Sequence, residues 1–176
     1  MRSSALLLGF LLLGTSAHAQ ATTANNPAVT TARQLWEQLT NYITTAAQDT
    51  PESLYAYRPT PQVRSFGQLI GHLAGSQNLI CGTALGEPTR EEDAIEKNVT
   101  GKAELVAALK ASTANCVRAY AQTDQAALAP VKLFGQDHTR LYALMMNATH
   151  NGEHYGNIVT YLRLNGIVPP SSRPRP

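Results

Sequence analysis

Beyond residue 13 the chain lacks any apolar run long enough to cross a bilayer, so no membrane span is expected in the folded part. It lacks an excess of one charge: the formal net charge is only +2, which argues against nucleic acid as the default partner. It has no Gly-rich phosphate loop and no G-x-S-x-G nucleophile elbow. No Asp or Glu follows Glu153. That absence matters because His150-Asn-Gly-Glu-His154 spells the H-x-x-E-H pattern of inverted zinc proteases, which need a downstream carboxylate ligand. The pattern is therefore rejected as a protease signature. Cysteine is scarce, with only Cys81 and Cys116. No convincing strand pattern appears.

The start of the chain reads as a secretory signal peptide over residues 1–19. Met1-Arg2 is a basic start, Ala5 to Leu13 is apolar apart from Gly9, and Ala17-His18-Ala19 fits the small-x-small cleavage rule. No cysteine stands at the cleavage point, so no lipid anchor is suggested. The expectation is an exported protein, periplasmic or secreted, with no membrane partner once the leader is removed. In that compartment a Cys81–Cys116 disulfide is favoured over two free thiols.

The remaining length suits one domain with a real core, expected over residues 20–170. A first helix starts at Asn26-Pro27, with Asn as cap and Pro in the first turn, and ends near Asp49. Its stripe includes Val29, Ala32, Trp36, Leu39 and Ile43, and Trp36 reads as a core filler. Ser65-Phe-Gly-Gln68 matches a capping box for a second helix that stops at Gly86. A third helix is expected from Lys102 to about Gln122, with Cys116 on its inward face. Between them, Gly86 to Gly101 is charged and aperiodic apart from a turn at Arg90 to Glu96, and it contains an N-glycosylation pattern at Asn98-Val-Thr. Val131 to Phe134 could be a short extended piece. Asp137 or Thr139 can cap a fourth helix that ends at Asn165-Gly166. Residues 171–176 are expected to be a disordered tail. Four long helices predict an all-α four-helix bundle. An apolar stripe left exposed on the first or third helix would support a homodimer.

The chemistry concentrates on histidine. Of the five, His150 and His154 are four apart and share one helix face. Asn147, Asn157 and Tyr161 fall near that face on a helical wheel, where they could line a pocket for water or a small-molecule substrate. A single metal ion could join the two imidazoles, with His72 on the second helix as the third ligand. His138 is a rival, but it lies about 18 Å along the axis from His150 if the helix is continuous. Three neutral imidazoles leave an open coordination position, and either zinc or nickel suits them. The bland alternative is that these histidines are merely structural.

Arg58-Pro-Thr-Pro-Gln-Val-Arg-Ser-Phe-Gly-Gln-Leu-Ile-Gly-His72 resembles the second-helix entry of DinB-like (DinB/YfiT) proteins. His150-Asn-Gly-Glu-His154-Tyr-Gly and Tyr161-Leu-Arg-Leu-Asn-Gly-Ile-Val-Pro-Pro170 resemble their last helix and exit. The resemblance implies a four-helix bundle with a long crossover connection and a divalent metal on His72, His150 and His154. It also implies that thiol-dependent transferases and isomerases are among the relatives. Two readings follow. One is a metalloenzyme that activates water, as a hydrolase, or a thiol, as a transferase. The other is a non-enzymatic periplasmic metal-binding or stress-related bundle.

Overall fold

The computed structural model describes residues 26–174. The signal peptide expected over residues 1–19, with His18, lies outside them. Four long helices make the bundle: α1 (Pro27–Asp49), α2 (Phe66–Leu85), α4 (Lys102–Ala119) and α6 (Arg140–Leu164). Two short helices, α3 (Ala94–Asn98) and α5 (Asp124–Ala127), lie in the connections, and a hairpin of β1 (Pro130–Leu133) and β2 (Gln136–Thr139) precedes α6. α2 packs on α4 and α6, while α1 packs on α6 and more lightly on α4. α1 and α2, consecutive in the chain, thus stand at opposite corners. Residues 50–65 make the crossover between them.

Local chemistry sets most boundaries. Ser65 Oγ accepts from the Gln68 backbone N–H, and the Gln68 side chain accepts from the Ser65 N–H, closing the expected capping box. Gly86, at φ 77°, ends α2 in the left-handed conformation. Thr139, not Asp137, caps α6, its hydroxyl accepting from the Tyr142 N–H at 3.2 Å. α1 differs from expectation. The Asn26 side chain does not cap its own helix; the Asp124 carboxylate does, accepting from the N–H groups of Ala28 and Val29 at 3.0 and 2.9 Å. Asn26 Oδ1 in turn accepts from the Asp124 N–H at 2.9 Å. A negative group at a helix N-terminus meets both the free donors and the dipole.

Three expectations need correction. α4 ends at Ala119, short of Gln122. There the Gln122 amide turns back to donate to the terminal carbonyls of Ala84 and Ala119. No convincing strand was expected, yet the extended piece foreseen at residues 131–134 is present as β1 and pairs antiparallel with β2, through a turn with Phe134 and Gly135 at φ 50° and 80°. The tail is ordered as far as it is described. Pro170–Ser172 forms a 3-10 turn, the Ser171 N–H donates to Tyr155 Oη, and Arg173 pairs with Asp49.

The core has two apolar clusters. One gathers Trp36, Ile80, Tyr120 and Leu144; the other gathers Ile43, Phe66, Ile70, Leu73 and Ile158. A buried polar layer divides them. Trp36 Nε1 donates to Gln77 Oε1 at 2.9 Å, and Gln77 Nε2 donates to Ser112 Oγ at 3.1 Å. Asn151 Nδ2 donates to Thr40 Oγ1 at 3.1 Å. Trp36 also stacks on Tyr120, so it is a core residue. Cys81 and Cys116 form a disulfide that ties α2 to α4. Among the described residues no helix is long and apolar enough to cross a membrane. Leu35 and Met145 stay more than half exposed and border an apolar groove between α1 and α6.

Candidate functional site

His72 lies in the middle of α2, and His150 and His154 lie one turn apart in the middle of α6. Because α2 packs directly on α6, the three imidazoles meet between the helices. His72 Nε2 stands 3.3 Å from His150 Nε2, and His154 Nε2 stands 3.1 Å from the same atom. His72 is 5 % exposed and His154 7 %. His138 is not part of this group; it sits on β2 with its ring stacked on Tyr142.

The surroundings of His150 and His154 disfavour their charged forms. Burial pushes the His154 pKa down to about 3, helped by the neighbouring His150, His72 and Arg64. Burial also lowers that of His150, with His72 as the next cause. Three neutral imidazoles that aim one nitrogen each at a common point cannot satisfy one another: lone pairs repel, and N–H groups compete for too few acceptors. Nitrogens about 2.0–2.1 Å from one tetrahedral ion stand about 3.3 Å apart, close to the 3.3 and 3.1 Å that separate His150 from His72 and from His154. The Nδ1 atoms of His72 and His150 are buried without a partner among the described residues. The donor set therefore fits a divalent cation.

The expected pocket-lining residues divide. Asn157 is exposed, with its amide 3.5 Å from His154 Nδ1. Tyr161 is buried, and its hydroxyl donates to the Arg64 carbonyl at 2.7 Å, which fixes the α2 entry beside the histidines. Asn147 is not brought to the site. Fully buried, it donates to Tyr120 Oη at 3.3 Å and faces both disulfide sulfurs. It shares a helix face with His150 but lies about 4.5 Å further along the axis, inside another layer of the core. Glu153 is solvent-exposed.

Sequence reasoning passed over a set of acids on the α2–α4 connection. Asp93 Oδ1 and Glu96 Oε2 each lie 3.6 Å from His72 Nδ1. Glu92 Oε1 is 4.0 Å from His72 Nε2 and accepts from the Ser76 hydroxyl at 2.7 Å. Glu96 is held by Arg64, whose Nε donates to both its oxygens at 3.1 and 3.0 Å. Gly71 and Gly75 flank His72, and they admit this segment. A β-carbon at Gly71 would press on Glu96 Cα, and one at Gly75 would collide with the Glu92 carbonyl. Gly67, Gly71 and Gly75, spaced four apart along one face of α2, were the available signal. A cavity of about 590 Å³ opens beside the acids, lined by Arg58, Arg64, Asp93, Glu96 and Lys97 among others.

A family model described as the DinB superfamily matches residues 32–158. No functionally curated protein matches the chain. Among solved structures, a DinB-like protein from Bacillus cereus ATCC 10987 superimposes with a TM-score of 0.69 at 17% identity, covering 79% of this chain and 93% of that one. A DinB-like protein from Bacillus subtilis gives 0.62 at 21% identity, covering 77% and 92%. A mycothiol-dependent maleylpyruvate isomerase gives 0.58 at 18% identity, covering 74% of this chain and 59% of that one. At these identities the likeness speaks to the fold.

Proposed function

This chain belongs to the DinB superfamily, and from that premise we propose that it is an exported metalloenzyme whose divalent ion is held by His72, His150 and His154. The observation that carries the reading is the convergence of the three Nε2 atoms, His150 standing 3.3 Å from His72 and 3.1 Å from His154, in a seam between α2 and α6 where His72 and His154 are buried and His150 is half-buried. A divalent ion there would supply Lewis acidity, enough to activate water or a thiol near neutral pH. Zinc and nickel both suit the nitrogen donors.

The chain's own residues do the rest. Burial favours the neutral forms of His150 and His154, so their lone pairs are available without prior loss of a proton. Three protein ligands leave a coordination position open. The cavity beside Asp93 and Glu96, which none of the three histidines lines, has room for a small substrate, and Arg58, Arg64 and Lys97 give it cationic groups. The thiol alternative draws support from the fold shared with a mycothiol-dependent isomerase, and the hydrolytic one from the open position alone. The Cys81–Cys116 disulfide and the leader-like start support export to an oxidising compartment.

The test is metal content of the mature protein, purified without a His-tag or chelator, beside His72→Ala and His150→Ala. The expected result is a single equivalent per chain, lost in both variants. Unchanged content and affinity in His150→Ala would overturn the assignment. Azide or a small thiol added to cobalt-substituted protein then separates enzyme from non-enzymatic metal binder: a shifted spectrum reports an exchangeable position.

A further inference from the structure

We propose that Asp93 and Glu96 are positioning residues that accept from His72 Nδ1–H and so hold its Nε2 lone pair toward His150 and His154, an inference that rests on the metal reading of the triad. The Nδ1 atom is buried and lacks a hydrogen-bond partner among the described residues. The two carboxylates are the groups that face it, each at 3.6 Å. These separations exceed a hydrogen bond by a few tenths of an ångström, which a small rotation of the ring closes.

The chemistry of a neutral imidazole forces the choice. It carries one N–H and one lone pair. If Nε2 is to be a ligand, the proton must sit on Nδ1, and an N–H buried beside two carboxylates is satisfied only by them. Carboxylate partners on the outer nitrogen fix the tautomer, orient the ring and raise its basicity. The acids are also fixed in place. Arg64 holds Glu96 through both oxygens, Lys97 pairs with Asp93, and Gly71 and Gly75 seat the segment directly on α2. The cluster His72, Asp93 and Glu96 could itself hold a cation. A lone pair on Nδ1 would then put the proton on Nε2 and disable the triad, so the two uses exclude each other.

The test reads the His72 tautomer by ring-nitrogen NMR in metal-free protein, and zinc affinity by chelator competition. Wild type should show the Nδ1–H form. The double variant Asp93→Ala, Glu96→Met should lose that preference and bind zinc about 10–100-fold more weakly. Glu96→Gln, which keeps an acceptor oxygen, should rescue most of both. Arg64→Met breaks the same ion pair but leaves the carboxylates, so it should retain the tautomer and show that the fold survives. An Nε2–H form in wild type, an unchanged tautomer or affinity in the double variant, or a second metal equivalent lost with Asp93 and Glu96 would each overturn the proposal. If wild type binds no metal, the functional reading fails, while the tautomer measurement still decides the role of the acids.

Discussion

Gly75 and Glu92 meet through backbone alone: the Glu92 carbonyl occupies the place of a β-carbon on residue 75. Gly75→Ala must therefore push the α2–α4 connection off the helix. Alanine favours the helix by about 1 kcal/mol, but overpacking against backbone costs about 1–3 kcal/mol. The net expectation is lower stability in urea melts together with weaker metal binding, because Asp93 and Glu96 move with the connection. Gly156→Ala is the internal control. It lies in α6 with nothing within 4 Å of the added carbon, and should stabilise by up to about 1 kcal/mol. Equal effects at the two sites would show that the connection does not rest on Gly75.

The Cys81–Cys116 bridge closes a loop with a sequence separation of 35 between helices that already pack together. Loop entropy assigns it about 3–4 kcal/mol, and both residues are 0 % exposed. The double Cys→Ala variant should lose most of that in equilibrium unfolding while keeping the helical circular dichroism signal. Reductant should act on the native protein only at the rate of opening. Rapid reduction without unfolding would contradict the burial.

Some of the fold was legible because its cause is local. Ser65 with Gln68, Gly86 after α2, and the four-residue spacing of His150 and His154 each act within a turn or two of helix. Trp36 and Cys116 followed from periodicity. What stayed hidden depends on which elements meet. Asp124 caps α1 from 95 and 96 residues further along the chain, and no pattern around Pro27 predicts that. Asp93 and Glu96 sit in a stretch without periodicity, where acids read as solvated until Gly71 and Gly75 are seen to seat the segment. Asn147 was placed by angle on the helix, which is blind to displacement along the axis.

Gln77 holds the buried polar layer together from the centre. Its oxygen accepts from Trp36 Nε1, and its amide donates to Ser112 Oγ. Asn151 Nδ2 also lies 3.4 Å from its oxygen. Gln77→Leu keeps the volume roughly but strands the buried Trp36 Nε1–H, at about 1–3 kcal/mol, while Ser112 Oγ keeps the Leu109 carbonyl and Asn151 Nδ2 keeps Thr40. Thermal unfolding should show a loss well beyond that of Asn115→Ala, whose amide bonds only the half-buried Asn78. A near-neutral Gln77→Leu would mean that water enters the layer.

Alkali should reveal the same core from another side. Burial raises the Tyr120 pKa well above its ordinary value, against a smaller lowering by Asn147, and burial likewise raises that of Tyr55. Each hydroxyl donates to a buried carbonyl, that of Leu144 for Tyr120 and that of Ala47 for Tyr55. In the unfolded chain both ionise near pH 10. Below that pH both states hold the proton and stability is complete. Above it the unfolded state loses protons first, so stability falls as pH rises toward the folded pKa, by about 1.4 kcal/mol per pH unit for Tyr120. The phenolate absorbance of these two residues should therefore appear only together with loss of helical signal. Tyr120→Phe removes one such group and should flatten the alkaline loss. Early ionisation of Tyr120 in folded protein would show that the Trp36–Tyr120 stack is open to water.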